Sequence, residues 1–145
     1  MAAGLRPAPQ AFGYAPARPN ASSLTVRGYL HHHARIRRAD GTTIVTLASR
    51  LALTPLLDER LHDLSEGSLQ KVGLVQALHA SPRVLVLDEP FSAIDASARI
   101  TLCGILAERI RGGAADVLSH HGPTPSELAV DRHWALAHGR LHESA

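Results

Sequence analysis

The residues best placed to do chemistry are Asp88 and Glu89, which follow the run Val84-Leu85-Val86-Leu87 and precede Pro90. Four apolar residues with β-branched members and no polar alternation describe a strand buried on both faces. Two carboxylates at the C-terminal end of such a strand stand where ligands bind in open α/β sheets. Carboxylate oxygens suit Mg²⁺, and a second acid can orient or deprotonate a water. On these residues alone, a strand closed by an ordinary charged turn reads equally well.

Elements on either side must position that pair. Upstream, Gly67 to Ala80 reads as a helix, with Leu69, Val72, Val75 and Leu78 spaced for one buried face and Ser81-Pro82 as its stop. Downstream, Ala96 to Arg111 is helical until Gly112-Gly113, and Ala115 to Ser119 is a second buried strand. Helix, strand, helix, strand in this order implies parallel strands joined by right-handed crossovers. Nearer the N-terminus, Met1 to Asn20 holds four of the nine prolines and reads as loop around one apolar piece, Ala11 to Ala15. Ser23 to Arg38 is expected to be a helix capped by Ser23, with Leu24, Tyr29, Leu30 and Ile36 as its apolar residues. Asp40-Gly41 reads as a turn, Thr42 to Leu53 as a helix, and Leu56 to Leu61 as a short one. At the C-terminus, Ser126 to Asp131 suggests a short helix, and His133 to Ala137 with Arg140 to His142 a hairpin around His138-Gly139.

Composition narrows the class. Apolar residues make up 45% of the 145 and charged residues 19%, a globular profile. Only 3% are aromatic, so a core must be built from Leu, Val, Ile and Ala. Fourteen of the 15 basic residues are Arg, spread along the chain without a stripe, which argues against a dedicated nucleic-acid binder. The single Cys103 cannot form an internal disulfide and points to a reducing compartment. No apolar run approaches the roughly 18 residues of a membrane helix, and the first residues lack the apolar centre of a signal peptide. A cytoplasmic chain is expected.

In sequence order, the stretch Leu64-Ser65-Glu66-Gly67-Ser68, the end Leu87-Asp88-Glu89-Pro90, the turn Ser92-Ala93-Ile94-Asp95 and the late His120 resemble four motifs of the ATP-binding cassette (ABC) ATPases. These are the LSGGQ signature, the Walker B end, the D-loop and the switch histidine. The resemblance covers roughly Phe12 to Leu141. It implies an α/β fold: part of a RecA-like P-loop NTPase core, with parallel strands and crossover helices, preceded by an α-helical subdomain. The implied division is 1–20 as a leading segment with a Q-loop-like remnant, 21–64 as the helical subdomain, and 65–145 as the signature helix and Walker B half. The implied function is that of the ATP-binding and ATP-hydrolysing component of an ABC transporter, with ATP and Mg²⁺ as ligands. Its implied partners are a transmembrane permease and a second ABC ATPase subunit, with no nucleic acid. The implied location is the inner face of the cell membrane, reached through the permease.

The same resemblance assigns roles. Asp88 would hold Mg²⁺, Glu89 would be the general base, and His120 would contact the γ-phosphate, with His121 a rival. Phosphoryl transfer depends mostly on such positioning and electrostatics. Ser65, Gly67 and Ser68, at a helix N-terminus, would face a γ-phosphate held by a partner subunit, where free N–H groups suit an anion. Asp95 would bridge two subunits. The acidic pair is thus expected to share a cleft with the serine-glycine turn and the late imidazole.

Two departures stand against these matches. The loop GxxxxGK[ST] needs a Lys after a Gly, and the only lysine is Lys71, preceded by Gln70. Ala17, after the Q-loop-like Phe12 to Pro16, stands where the resemblance expects a metal-contacting Gln. The chain is therefore expected to be a truncated or split cassette, inactive alone, or a partner half that supplies its signature and Walker B residues in trans.

Weaker signals remain. The surface near Leu24 to Leu30 is where the resemblance places the permease, and a plain amphipathic helix explains it equally well. Consecutive helical residues such as His31-His32-His33 point apart and read as a solvated run before a metal site. Cys103 reads as a small core residue, and Gln70 and Lys71 fit the signature-helix pattern or a solvated face.

Overall fold

A computed structural model describes residues 11–20, 22–122 and 124–144. Three parallel strands carry the site: β1 (Phe12–Ala15), β2 (Val84–Asp88) and β3 (Ala115–Ser119), in the order β1-β2-β3. Tyr14 lies opposite Val86, and Val86 opposite Val117. Between β1 and β2 run α1 (Val26–Arg37), α2 (Gly41–Arg50) and α3 (Glu66–Leu78), and α4 (Ala96–Arg111) links β2 to β3. A hairpin of β4 (His133–Ala137) and β5 (Arg140–Ser144) follows. The parallel-strand core with crossover helices is the α/β architecture expected from the sequence.

Several local expectations shift. The first helix begins three residues late: Thr25 accepts from the Gly28 amide and caps α1. Ser22 and Leu24 cannot enter the helix, because their carbonyls take the amides of His62 and Leu61 while Thr25 bridges Arg60. The buried stripe of α1 is Val26, Leu30 and Ala34, spaced by four; Leu24 and Ile36 are exposed. Asp40 is the N-cap of α2, not a free turn, and accepts from Thr42. In place of a helix over 56–61 there are two 3₁₀ turns, Thr54–Leu56 and Leu61–Asp63. Ser126 to Asp131 holds a turn and no helix.

One hydrophobic cluster joins these elements, with Leu30, Leu51, Leu53, Leu61, Leu74, Leu85, Leu87, Leu102 and Leu106 fully buried. Its buried residues are all Ala, Val, Leu and Ile, with no aromatic ring among them. Helix α3 is buried nearly all round, Gln70, Gly73, Leu74 and Ala77 included, instead of along one stripe. It packs on α1, α2 and β1 at once, so no side is left to solvent over most of its length.

The sheet departs from the expected burial on both faces. Gly13, Ala15, Leu85 and Leu87 point under the helices, whereas Phe12, Tyr14, Val86 and Val117 are exposed on the other face. Right-handed crossovers explain this. Strands laid down in one direction across the sheet bring every connecting helix to the same side.

Candidate functional site

Strand β2 ends at Asp88, and the chain turns at once. Glu89 has a φ of 50°, a left-handed conformation that a side chain rarely adopts. That backbone is pinned from both sides. The Glu89 amide donates to the Ser119 carbonyl and to Ser119 Oγ, both at 3.1 Å. Its carbonyl accepts from Gln70 Nε2 at 2.6 Å and from Ser92 Oγ at 3.0 Å. Left-handed backbone at a residue with a side chain costs on the order of 1–3 kcal/mol and persists where neighbours over-determine it.

Strand β3 brings the second half of this cluster. Ser119 stands opposite Asp88 in the parallel register, and its hydroxyl donates to Asp88 Oδ1 at 2.5 Å. The Glu89 carboxylate accepts from the His121 amide at 3.3 Å, and the His121 imidazole lies 3.3 Å from its other oxygen. His120, the residue assigned from the sequence, turns instead toward Thr124, whose hydroxyl lies 3.3 Å from its Nε2. Both histidines lie beyond the end of β3, where the chain bends, and their side chains go to different partners.

Ser65 caps α3, accepting from the Ser68 amide at 3.2 Å and donating to Ser68 Oγ at 3.0 Å. Gly67 must lack a side chain: a Cβ there would lie 2.5 Å from the Ala93 carbonyl oxygen. Ser65, Glu66, Gly67, Ser68, Lys71, Ser92, Ala93 and Asp95 together line an open cleft of about 480 Å³. Lys71 Nζ meets Asp95 Oδ2 at 2.6 Å, and Asp95 Oδ1 accepts from the Ala98 amide as N-cap of α4. The Lys71 ammonium first, and the Ala98 amide second, hold the Asp95 carboxyl down to about 2.

The structure therefore groups the expected residues in two places. Ser65, Gly67, Ser68 and Asp95 share the cleft, whereas the carboxylates of Asp88 and Glu89 gather at the ends of β2 and β3 and are not among the cleft's lining residues. Contrary to the expected shared cleft, the acidic pair and the late imidazole do not line the cleft of the serine-glycine turn. Gln70, buried under both places, connects them: its amide nitrogen holds the Glu89 carbonyl and its oxygen takes the Ala93 amide at 3.0 Å. Gln70 reads from the sequence only as part of the signature-helix pattern or a solvated face, and Ser119 carries no signal; their neighbours in space reveal both contacts.

Other candidates resolve locally. His31 and His32 are exposed, and His33 is half-buried with its ring 4.5 Å from Tyr29. Burial, foremost, pushes the His33 imidazole below its ordinary value. Cys103 is buried beside Leu102 and Leu106.

Fold and motif order define a member of the ATP-binding cassette class, and the comparison with known families agrees. The chain belongs to the ABC transporter family, whose profile matches residues 7–92. One curated relative, the vitamin B12 import ATP-binding protein BtuD of Pectobacterium atrosepticum, is 38% identical over 102 residues, covering 66% of this chain and 41% of that protein. The aliphatic sulfonates import ATP-binding protein SsuB of Granulibacter bethesdensis is 38% identical over 98 residues, 67% of this chain and 39% of its own length. A solved ATP-binding subunit of an ABC transporter superposes with a TM-score of 0.72 at 27% identity, over 77% of this chain and 49% of that one. The chain thus spans about two fifths of the length of these curated relatives.

Proposed function

We propose that this chain is the Walker B and signature portion of the ATP-hydrolysing component of an ABC transporter, which drives transport through a membrane permease. The observation that carries this reading is the acidic pair at the end of β2, held by Ser119 at the end of the neighbouring strand and by His121 just beyond it. In the reading, residues 21–64 form the helical subdomain, with the surface around Leu24 toward the permease, and 65–145 form the catalytic half. The protein would sit against the inner face of the membrane through that permease.

The donor set fits a magnesium ion: Asp88 offers hard carboxylate oxygen, with the Ser119 hydroxyl and Glu89 beside it. When bound, Mg²⁺ supplies charge neutralisation for the phosphates of ATP. Glu89 then takes a proton from the attacking water, and its contact with His121 orients the carboxylate. His121 contacts Glu89 whereas His120 turns to Thr124, so in this reading the switch role passes to His121. Ser65, Gly67 and Ser68 offer a helix N-terminus to an anion held by a second subunit, and Asp95 lies at the rim of that cleft to meet it. The separation of cleft and acidic pair supports action on two different nucleotides, one in cis and one in trans.

These 145 residues contain no GxxxxGK[ST], so the phosphate cradle is supplied from outside them. Phosphate release from ATP is the test, measured for the chain alone and mixed with a P-loop-bearing ABC subunit. The expected result is no turnover alone, and turnover in the mixture beyond that of the partner, lost on Glu89→Gln. Turnover by the chain alone that vanishes with Glu89→Gln would overturn the requirement for an external cradle. Co-purification without any Glu89-dependent activity would leave a non-catalytic partner fragment.

A further inference from the structure

We propose that Ser119 is a positioning residue that fixes which oxygen of Asp88 is offered to a divalent cation; the proposal rests on the reading of Asp88 as the metal-holding acid. A serine hydroxyl has one proton to give and lone pairs to receive. The Glu89 amide donates into Ser119 Oγ at 3.1 Å, which makes that oxygen an acceptor on the Glu89 side. Its single proton is thereby directed to Asp88 Oδ1, at 2.5 Å, a length usual for a hydroxyl on a charged carboxylate. Oδ1 gives one of its two lone pairs to that proton, and among the described residues Oδ2 has no protein partner, so Oδ2 is the less engaged oxygen and the one turned toward a cation.

The arrangement does not depend on Ser119 for its backbone. The Glu89 amide also bonds the Ser119 carbonyl, and β2 and β3 are paired along their whole length. Removing the hydroxyl therefore frees the Asp88 carboxylate to rotate while the strand ends stay in place. A hydrogen-bond partner behind a metal-binding carboxylate commonly governs affinity in this way.

Mn²⁺ is a suitable probe, because it takes oxygen ligands as Mg²⁺ does and broadens nearby amide resonances. In the ¹⁵N-labelled chain, Mn²⁺ titration is expected to broaden Asp88, Glu89 and Ser119 first. Ser119→Ala is expected to weaken that binding about tenfold, the scale of such outer-shell losses, with the amide spectrum elsewhere unchanged. Ser119→Thr, which keeps the hydroxyl, restores it. Equal affinity in wild type and Ser119→Ala, or failure of Ser119→Thr to rescue, overturns the proposal. Asp88→Asn separates the two layers: binding that survives it overturns the metal-holding role of Asp88 itself. Loss with Asp88→Asn but not with Ser119→Ala removes only the positioning role.

Discussion

The two faces of the parallel sheet carry residues of the same kind to opposite ends. Leu85 and Leu87 are buried on the helix side of β2, while Val86 between them is exposed together with Tyr14 and Val117 on the adjacent strands. Apolar character therefore did not decide burial; connectivity did. Each crossover advances the sheet in the same direction, so the helices accumulate on one side, and the other side is an apolar surface without cover in these residues. Parallel sheets are ordinarily covered on both faces, whereas among the described residues this one is covered on one.

The sharpest way to break the contrast is on the helix side of β3. Asp116 is nearly buried and receives Arg109 from α4, whose guanidinium also donates to the Pro82 carbonyl. Asp116→Ala strands a buried guanidinium and is expected to cost about 3–5 kcal/mol, read from the urea midpoint. An effect no larger than that of an exposed ion pair would show that α4 is not seated on the sheet as described.

A paired substitution on β2 measures the two faces directly. Leu85→Ala removes a fully buried side chain and should destabilise by about 2–5 kcal/mol. Val86→Ala, one residue on and facing the other way, should cost well under about 1 kcal/mol in the same urea experiment, as exposed substitutions do. Equal losses would mean that the outer face is covered in solution, by a second copy or by another part of the protein.

The smallest expected effect is a pH dependence at the cleft. Asp95 is held at about 2 instead of its ordinary 3.8, by Lys71 first and then by the Ala98 amide. An acid depressed in the folded state contributes stability that is complete above pH 3.8 and is lost as pH falls from 3.8 toward 2. The carboxylate is open to solvent, so the change should be local. The Ala98 amide resonance should shift across that interval in wild type and lose the shift in Asp95→Asn. A transition of Ala98 at the ordinary carboxylate value would dissolve the Lys71–Asp95 pair.

Much was legible in the residues. The strand over 84–87, the helix over 96–111 with its Gly112 stop, the strand over 115–119 and the hairpin turn at His138-Gly139 were all readable, because periodicity and turn chemistry act over a few neighbours. The start of α1 was not, since Thr25 became its cap only when the preceding residues paired with 60–62. At the site, motif order marked Asp88, Glu89 and His120, whereas the His121 contact with Glu89 and the Ser119 hydroxyl on Asp88 emerge only in the fold.

Composition and spacing marked a globular α/β chain and an acidic pair closing a buried apolar run, and the resemblance of four motifs marked the family. Those properties are local: an apolar run, a cap or a charge keeps its meaning wherever the chain goes. Tertiary structure decided the rest: which face of the sheet stays bare, which imidazole meets Glu89, and that buried Gln70 ties the cleft to the acids. These depend on residues 19 to 32 positions apart being brought within hydrogen-bond reach. No pattern along one segment encodes that, because the partner's position is set by the path of the helices between them.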